Sequence, residues 1–341
     1  MGFLHSQLFV TPKYPTGSSV NQTVIVTGSN VGLGLEAARH FVRLGAAKVI
    51  LAVRNIAAGE KAKTSIEEST ATCGICDVWE LDLINYKSVQ AFAERVAQLP
   101  RLAILIENAG IATTRLRVQR DMKVELLSTS SEETAKKYPS RLPHLSVVTS
   151  EEHAWTDLPE WKTQTTFQTL DCEETADMQS GYAASKLLQI LLGRELASRL
   201  TDSGVILSML QPGLCHSQWT REEESWINTI LKLVLARSTE IGSCTLLAAA
   251  LAGPGSHGAY MRDGIVDNGA LSTFVQSGEG EKAQQKVWKE MAEILRRRQK
   301  NVAILRSLKP KWVQPLNETG PAEPNAHITE SSSVKERDYG K

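Results

Sequence analysis

The sequence predicts an α/β protein built on a single doubly wound parallel sheet. Apolar, β-branched runs alternate with helical patterns from residue 23 onward, and these runs are apolar throughout rather than at every second position. A glycine-rich turn follows the first run. Strands that are apolar on both faces belong to a sheet that helices cover on both sides, as is usual for parallel sheets.

The predicted elements follow from this alternation. The first strand, Thr23–Thr27, leads into the glycine-rich turn, and the next helix runs from about Leu33 to Leu44. It ends at Gly45, because glycine tolerates the left-handed conformation found after helix C-termini. Further strands are predicted at Lys48–Val53, Asp77–Leu81, Leu102–Ile106, Leu145–Thr149 and Val205–Leu210, and further helices at Ala57–Glu68, Lys87–Leu99 and Ser180–Leu200.

Composition divides the chain into three parts. Residues 1–19 form an N-terminal arm that contains Pro12 and Pro15, and residues 20–300 carry the alternating pattern of one domain. Residues 301–341 form a tail that, from Pro310 on, has almost no apolar side chains. Such a segment buries too little apolar surface to offset the entropy of ordering, so we expect it to be largely disordered.

Charge and hydropathy exclude several classes of function. The 38 Lys and Arg balance the 38 Asp and Glu, so no excess positive charge attracts nucleic acid. No apolar run reaches the ~18 residues of a membrane span, and the N-terminus lacks the features of a signal peptide. The five cysteines are odd in number and scattered, and the Cys73/Cys76 pair lacks further ligands for a metal. These features predict a cytoplasmic protein without a metal site.

The turn Thr27–Gly34 (TGSNVGLG) has the composition of a pyrophosphate site. Gly28 permits a tight turn, Gly32 lets a phosphate approach the backbone, and Gly34 lets the helix pack closely on the strand. The helix that follows offers free N–H groups and the positive end of its dipole. The sequence therefore predicts a dinucleotide site here.

The end of the second strand indicates which dinucleotide is bound. NAD-specific sites place an acid there to accept hydrogen bonds from the ribose hydroxyls, whereas this chain has Arg54 followed by Asn55. A guanidinium makes a charge-assisted contact with a 2′-phosphate, which favours NADP(H). The alternative is an exposed arginine that only ends the strand.

Five motifs in order along residues 20–275 resemble the short-chain dehydrogenase/reductase family, whose members have a Rossmann fold. They are the TGxxxGxG turn, Asp82-Leu83, Asn108-Ala109-Gly110, Ser150, and Tyr182 with Lys186. Residues 6–17 (SQLFVTPKYPTG) and 212–217 (PGLCHS) also look like filamentous-fungal members that act in secondary-metabolite pathways.

The resemblance implies roles for the nucleotide residues. Asp82 would contact the adenine amino group, Leu83 would flank the ring, and Asn108 with its neighbours would support the sheet beside the adenosine ribose. Asn30 and Leu33 of the turn would join the nucleotide contacts.

Tyr182 and Lys186 are four residues apart in a helical pattern, so their side chains share one helix face. An ammonium beside a tyrosine favours the phenolate and so lowers the pKa of the tyrosine from about 10. The resemblance implies that Tyr182 exchanges a proton with the substrate oxygen, that Lys186 holds the nicotinamide ribose, and that Ser150 hydrogen-bonds the same substrate oxygen. A solvated helix face is the alternative interpretation of the pair.

Neighbouring residues compete for these roles. Thr149 could replace Ser150, but side chains alternate along a strand and the family pattern favours Ser150. His144 and His153 match no family position, and we interpret both as surface loop residues.

One segment departs from the family pattern. Members carry a long apolar helix between the fourth and fifth strands, which often packs against a second subunit, with an Asn that completes the proton relay. Here residues 111–144 look shortened, Ser130–Glu133 resembles a capping box that opens a short helix, and Glu125 stands at the Asn position. We therefore expect weak catalysis and a doubtful homodimer; a mis-spliced gene prediction is the simpler explanation.

Residues 213–251 correspond to the region that covers the substrate in the family. Trp219 and Trp226 could form an apolar wall, although core packing explains them equally well. The sequence thus predicts an NADP(H)-dependent oxidoreductase that interconverts a ketone and a secondary alcohol on an apolar natural product. The alternatives are an NADP(H)-binding scaffold or sensor without turnover, and a retinoid- or steroid-type reductase.

Overall fold

The computed structural model describes residues 3–110, 130–139, 141–172, 180–216 and 235–300. Within these residues eight strands form one sheet, in the order β3-β2-β1-β4-β5-β6-β7-β8. The strands are β1 Thr23–Thr27, β2 Lys48–Val53, β3 Cys76–Glu80, β4 Ile104–Glu107, β5 His144–Val148, β6 Ile206–Gln211, β7 Tyr260–Arg262 and β8 Ile265–Val266. The first seven strands run parallel, and β8 pairs antiparallel with β7. The predicted doubly wound parallel sheet is confirmed.

Helices pack on both faces of this sheet. They are α1 Phe3–Phe9, α2 Gly32–Arg43, α3 Ile56–Thr70, α4 Tyr86–Ala97, α5 Ser130–Lys137, α6 Thr166–Asp171, α7 Gly181–Leu200, α8 Thr239–Ala250 and α9 Gly278–Lys300. Side chains alternate across β1, so Ile25 faces the core beneath α4, α7 and α9, whereas Val24 and Val26 face the core beneath α2 and α8. Both faces of β1 are therefore shielded from water, which explains its uninterrupted apolar sequence.

The strand order places the site. β1 pairs with β2 on one side and with β4 on the other, so the direction of the connections reverses between β1 and β4. Ligands of doubly wound sheets bind at this point, beyond the carboxyl ends of the strands. Thr27, Arg54, Asn108, Ser150 and Pro212 follow or end strands at this edge.

The predicted strands and helices lie within about two residues of the observed bounds. Prediction missed α1, α6, α8, α9 and the hairpin of β7 and β8. α8 carries no apolar stripe because it packs both on the sheet and against α2 and is buried on most of its sides. The hairpin turns at Asp263 and Gly264, both with positive φ.

The segment between β4 and β5 is described in part. α5 begins at Ser130, where the predicted capping box lies, and its Thr134 hydroxyl accepts a hydrogen bond from the Leu102 N–H at 3.1 Å. Residues 111–129, including Glu125, lie outside the described residues, as do residues 217–234 and the tail 301–341. The shortened helix, the relay position, the apolar wall and the disordered tail therefore stay predictions.

Candidate active site

The glycine-rich turn is fastened to the end of β4 by main-chain and amide hydrogen bonds. The N–H groups of Asn108 and Ala109 donate to the Thr27 hydroxyl at 3.0 and 2.9 Å. The Asn108 side-chain amide donates to the carbonyl oxygens of Thr27 and Gly28 at 3.0 and 3.3 Å. Asn108 thus fixes the shape of the turn. Its support of the sheet beside the adenosine ribose, which the resemblance implies, stays a prediction.

Two glycines of the turn are required by close packing. A Cβ on Gly28, whose φ is +64°, would lie 2.9 Å from the Ala109 Cα. A Cβ on Gly34 would lie 2.6 Å from both the Gly28 carbonyl oxygen and the Asn108 amide nitrogen. Any side chain at these positions would clash with the backbone. Because both residues are glycine, the space at the start of α2, here called the cradle, stays open, and the first N–H groups of α2 can hold a phosphate there.

The ends of β2 and β3 present the residues expected around adenosine. Arg54 is exposed directly after β2, and the next residue, Asn55, caps α3 by accepting a hydrogen bond from the Ala58 N–H at 3.0 Å. The Asp82 carboxylate accepts a hydrogen bond from the Ile84 N–H at 3.1 Å, and Leu83 packs against the core. Arg54 therefore has an accessible guanidinium, while Asn55 and Asp82 order the backbone around it.

Ser150 and Tyr182 meet at the carboxyl end of β5. Their side chains are hydrogen-bonded to each other, and the Ser150 hydroxyl also accepts a hydrogen bond from the Glu152 N–H at 3.2 Å. α7 can bring Tyr182 this close because Gly193 lets the helix approach β6, where a Cβ would lie 2.7 Å from the Met209 sulfur. Since a serine hydroxyl has one proton, its acceptance from Glu152 leaves that proton for the phenol or for a substrate oxygen.

Lys186 is buried below Tyr182. Its ammonium donates to the Val148 carbonyl oxygen at 3.2 Å and to the Gln189 amide oxygen at 3.1 Å, and it lies 5.5 Å from the centroid of the Tyr182 ring. The pair is therefore not a solvated helix face.

The expected lowering of the Tyr182 pKa does not dominate in the structure. Burial raises the pKa of Tyr182 above its ordinary value, and the negative charge of Glu152 raises it further, while the hydrogen bond with Ser150 lowers it. The phenol is consequently neutral, the form that can give a proton away.

Glu152 is a site residue that sequence reasoning missed. Burial and the neighbouring negative charge of Glu151 together raise the pKa of Glu152 to about 7, against a lowering by Lys186. The sequence around Glu152 points to a structural role instead, because acidic residues that follow a serine are typical of a capped helix N-terminus. Glu152 therefore lies at the start of a helix and also raises the pKa of Tyr182.

His153 is wrong as a surface loop residue: it is fully buried. Its Nδ1 donates to the Ser150 carbonyl oxygen at 2.8 Å, and its Nε2 accepts from the Ser272 N–H at 3.1 Å. Burial lowers the pKa of His153, which keeps the ring in this neutral form. His153 therefore fixes the backbone of Ser150.

His144 is also wrong as a surface loop residue. It begins β5, and burial lowers its pKa to about 4. Thr149 turns away from the site, since its hydroxyl donates to the Leu210 carbonyl oxygen at 2.9 Å, so Ser150 and not Thr149 faces Tyr182.

Two kinds of feature are absent from the part of the chain that the structure describes. No group of three His, Cys, Asp or Glu side chains in that part is placed to hold a metal ion. No helix among the same residues has the length and apolar character needed to cross a membrane.

Similarity to known proteins agrees with this geometry. Residues 22–132 match the family model for short chain dehydrogenases. The chain is 39% identical over 331 residues to the short-chain dehydrogenase anuD of Penicillium roqueforti, covering 91% of this chain and 87% of that one. It is 40% identical over 316 residues to the short chain dehydrogenase/reductase dmxR8 of a Cryptosporiopsis species, covering 86% and 97%.

A solved structure shows the same fold. The crystal structure of an uncharacterised protein from Mycobacterium paratuberculosis has a TM-score of 0.54 and 24% identity, with 82% of this chain and 95% of that chain covered. The protein belongs to the short-chain dehydrogenase/reductase family, which is a family of oxidoreductases. Its relatives anuD and dmxR8 come from fungi, as the motif resemblance implied.

Proposed function

We propose that this protein is an NADP(H)-dependent oxidoreductase that interconverts a ketone and a secondary alcohol on an apolar natural product of fungal secondary metabolism. The observation that carries the proposal is the hydrogen-bonded pair of Ser150 and Tyr182, with Lys186 beside it, at the sheet edge that also bears the glycine-rich turn. A proton donor and a nucleotide cradle at one edge suit a carbonyl reduction.

The residues present fit a dinucleotide with a 2′-phosphate. The cradle at Gly28 and Gly34 is space that a Cβ would fill, which suits a pyrophosphate at the start of α2. Arg54 is exposed where NAD-specific sites carry an acid, and a guanidinium there supports NADP(H) over NAD(H). When bound, the nicotinamide supplies or takes up the hydride.

The chain's own residues handle the proton. The neutral phenol of Tyr182 gives its proton to the carbonyl oxygen, and the Ser150 hydroxyl donates a hydrogen bond to the same oxygen and stabilises the developing negative charge. His153 holds the backbone of Ser150 in place through its hydrogen bond to the Ser150 carbonyl oxygen. Lys186, held by Val148 and Gln189, places a positive charge near the phenolate that forms.

The test compares Tyr182→Phe with Tyr138→Phe, a matched change on a tyrosine beside Arg101 at the other end of the sheet. NADPH oxidation is followed by nicotinamide absorbance against acetophenone, acetonaphthone and phenanthrenequinone, and NADPH affinity by calorimetry. We expect Tyr182→Phe to lower kcat by at least about a thousandfold, because it removes the transferred proton, with NADPH affinity unchanged.

Tyr138→Phe should behave like the unaltered protein. NADPH binding without any carbonyl-dependent oxidation would instead favour the alternative function, a nucleotide-binding scaffold or sensor.

A further inference from the structure

The N-terminal helix α1 contacts both ends of the connection between β6 and α8. The Gln7 side-chain amide donates to the carbonyl oxygens of Leu214 and Leu235 at 2.7 and 2.9 Å. Its oxygen accepts a hydrogen bond from the Leu214 N–H at 3.1 Å. Gln7 is only 7% exposed, so one buried amide joins residues before and after the segment 217–234, which lies outside the described residues.

A second set of contacts anchors α1 through a buried cation. Arg237 donates to the carbonyl oxygens of Ser6 and Val10 at 2.6 and 2.9 Å and forms an ion pair with Asp263 at 2.8 Å. The Ser6 hydroxyl donates to the other carboxylate oxygen of Asp263 at 2.6 Å. Because a buried guanidinium must be fully hydrogen-bonded, α1 supplies acceptors that Arg237 needs.

The loop that α1 holds borders the candidate active site. This loop consists of residues 212–216, which follow β6 at the carboxyl edge of the sheet. β5 and β6 are parallel neighbours, with Val148 opposite Leu210, so Ser150 and Pro212 leave the sheet side by side. Ligands of such sheets bind beyond this edge, so the loop borders the place where Ser150 and Tyr182 would meet the carbonyl substrate.

The far side of the loop rests on the nucleotide turn. Cys215 packs against Gly242 of α8, where a Cβ would also lie 2.8 Å from Leu33 of the glycine-rich turn. The His216 N–H donates to the Arg237 carbonyl oxygen and the Arg237 N–H to the Leu214 carbonyl oxygen, both at 2.9 Å. The loop is thus fixed between α1 on one side and the turn on the other.

We propose that α1 is a positioning element of the candidate active site: Gln7 and Ser6 fix the 212–216 loop and thereby set the affinity for the carbonyl substrate. The substrate part of this proposal rests on the proposed function.

The test is Gln7→Glu in the full chain. The change keeps the size of the side chain and replaces both N–H donors with an oxygen that repels the Leu214 and Leu235 carbonyls. Amide hydrogen exchange is read at Leu214, His216 and Arg237. The matched control is Gln164→Glu, because Gln164 is an exposed residue of a bend.

We expect exchange at those three amides to quicken by about tenfold in Gln7→Glu and not in the control, since local opening costs less free energy without the amide contacts. The KM for acetonaphthone should rise by at least about threefold in Gln7→Glu and stay unchanged in the control. If Gln7→Glu does not fold, Ser6→Ala is measured in the same way at Arg237; this change removes the hydroxyl that contacts Asp263 and Arg237 and keeps the backbone.

Unchanged exchange would overturn the proposal whatever the kinetics show. Faster exchange with an unchanged KM would overturn the role in substrate binding. An unaltered protein that reduces no carbonyl would remove that role together with the proposed function, and the exchange rates would still decide whether α1 holds the loop.

Discussion

The nucleotide side and the substrate side of this sheet edge are built by different means. On the nucleotide side, backbone groups and the absence of side chains define the shape, as at Gly34 and at the Thr27 contacts of Asn108. On the substrate side, side chains from distant segments define it: His153 joins Ser150 to Ser272, and Arg237 joins α1 to the hairpin of β7 and β8. Backbone shape is encoded within a few residues, whereas a side-chain network depends on the whole fold.

The strongest test of this contrast is Gly34→Ala. Its Cβ would lie 2.6 Å from the Gly28 carbonyl oxygen, and backbone cannot move aside cheaply. We expect NADPH affinity to fall by at least about a hundredfold and stability by about 2 kcal/mol, because the turn must reshape. Calorimetry and thermal unfolding measure both.

The control is Gly253→Ala, where a Cβ meets nothing within 4 Å and φ is −75°. Gly34→Ala with normal affinity for NADPH would show that the nucleotide side does not depend on this close approach.

Arg54→Ala should have the next largest effect, confined to the nucleotide side. Losing one charge-assisted hydrogen bond to a 2′-phosphate is worth about 1.5–3 kcal/mol, so NADPH affinity should fall by about ten- to a hundredfold and NADH affinity should not change. Lys61→Ala, an exposed cation on the adjacent α3, serves as control. Equal binding of NADH and NADPH by the unaltered protein would contradict the assignment.

Glu152→Gln should have the smallest effect and act only on the substrate side. As pH rises through about 7, Glu152 becomes charged and opposes the Tyr182 phenolate, so the variant should oxidise alcohols at lower pH. We expect the pH profile of kcat for oxidation of the acetonaphthone-derived alcohol to shift down by roughly half a pH unit, with NADPH affinity unchanged.

The same change has a stability signature of defined sign. A carboxyl whose pKa is raised on folding favours the folded state less as pH climbs through that pKa, so Glu152→Gln should gain stability at about pH 8 relative to about pH 5. Glu60→Gln, an exposed residue of α3, should show neither effect. An unchanged pH profile of kcat would show that the charge of Glu152 does not affect Tyr182.

The errors of sequence reasoning lie mostly on the substrate side. The roles of the glycine-rich turn, Arg54, Asn108 and the Tyr182/Lys186 pair could be predicted from the sequence, because each prediction depends on residues a few positions apart; these roles stay predictions. The prediction for His153 was wrong because its burial depends on the backbone of Ser272 and the ring of Tyr260. Both residues lie more than a hundred positions away in the sequence. Glu152 was missed because its pKa depends on packing beneath α7.

By itself the sequence determined the parallel sheet, the bounds of its first six strands and the nucleotide turn, because hydrophobic period and glycine conformation act over a few residues. Only the tertiary structure decided that Glu152 lies close to Tyr182, that α8 is buried on most of its sides, and that Ser6 and Gln7 reach residues more than 200 positions away. Such contacts depend on which elements pack together, and no local pattern in the chain records that choice.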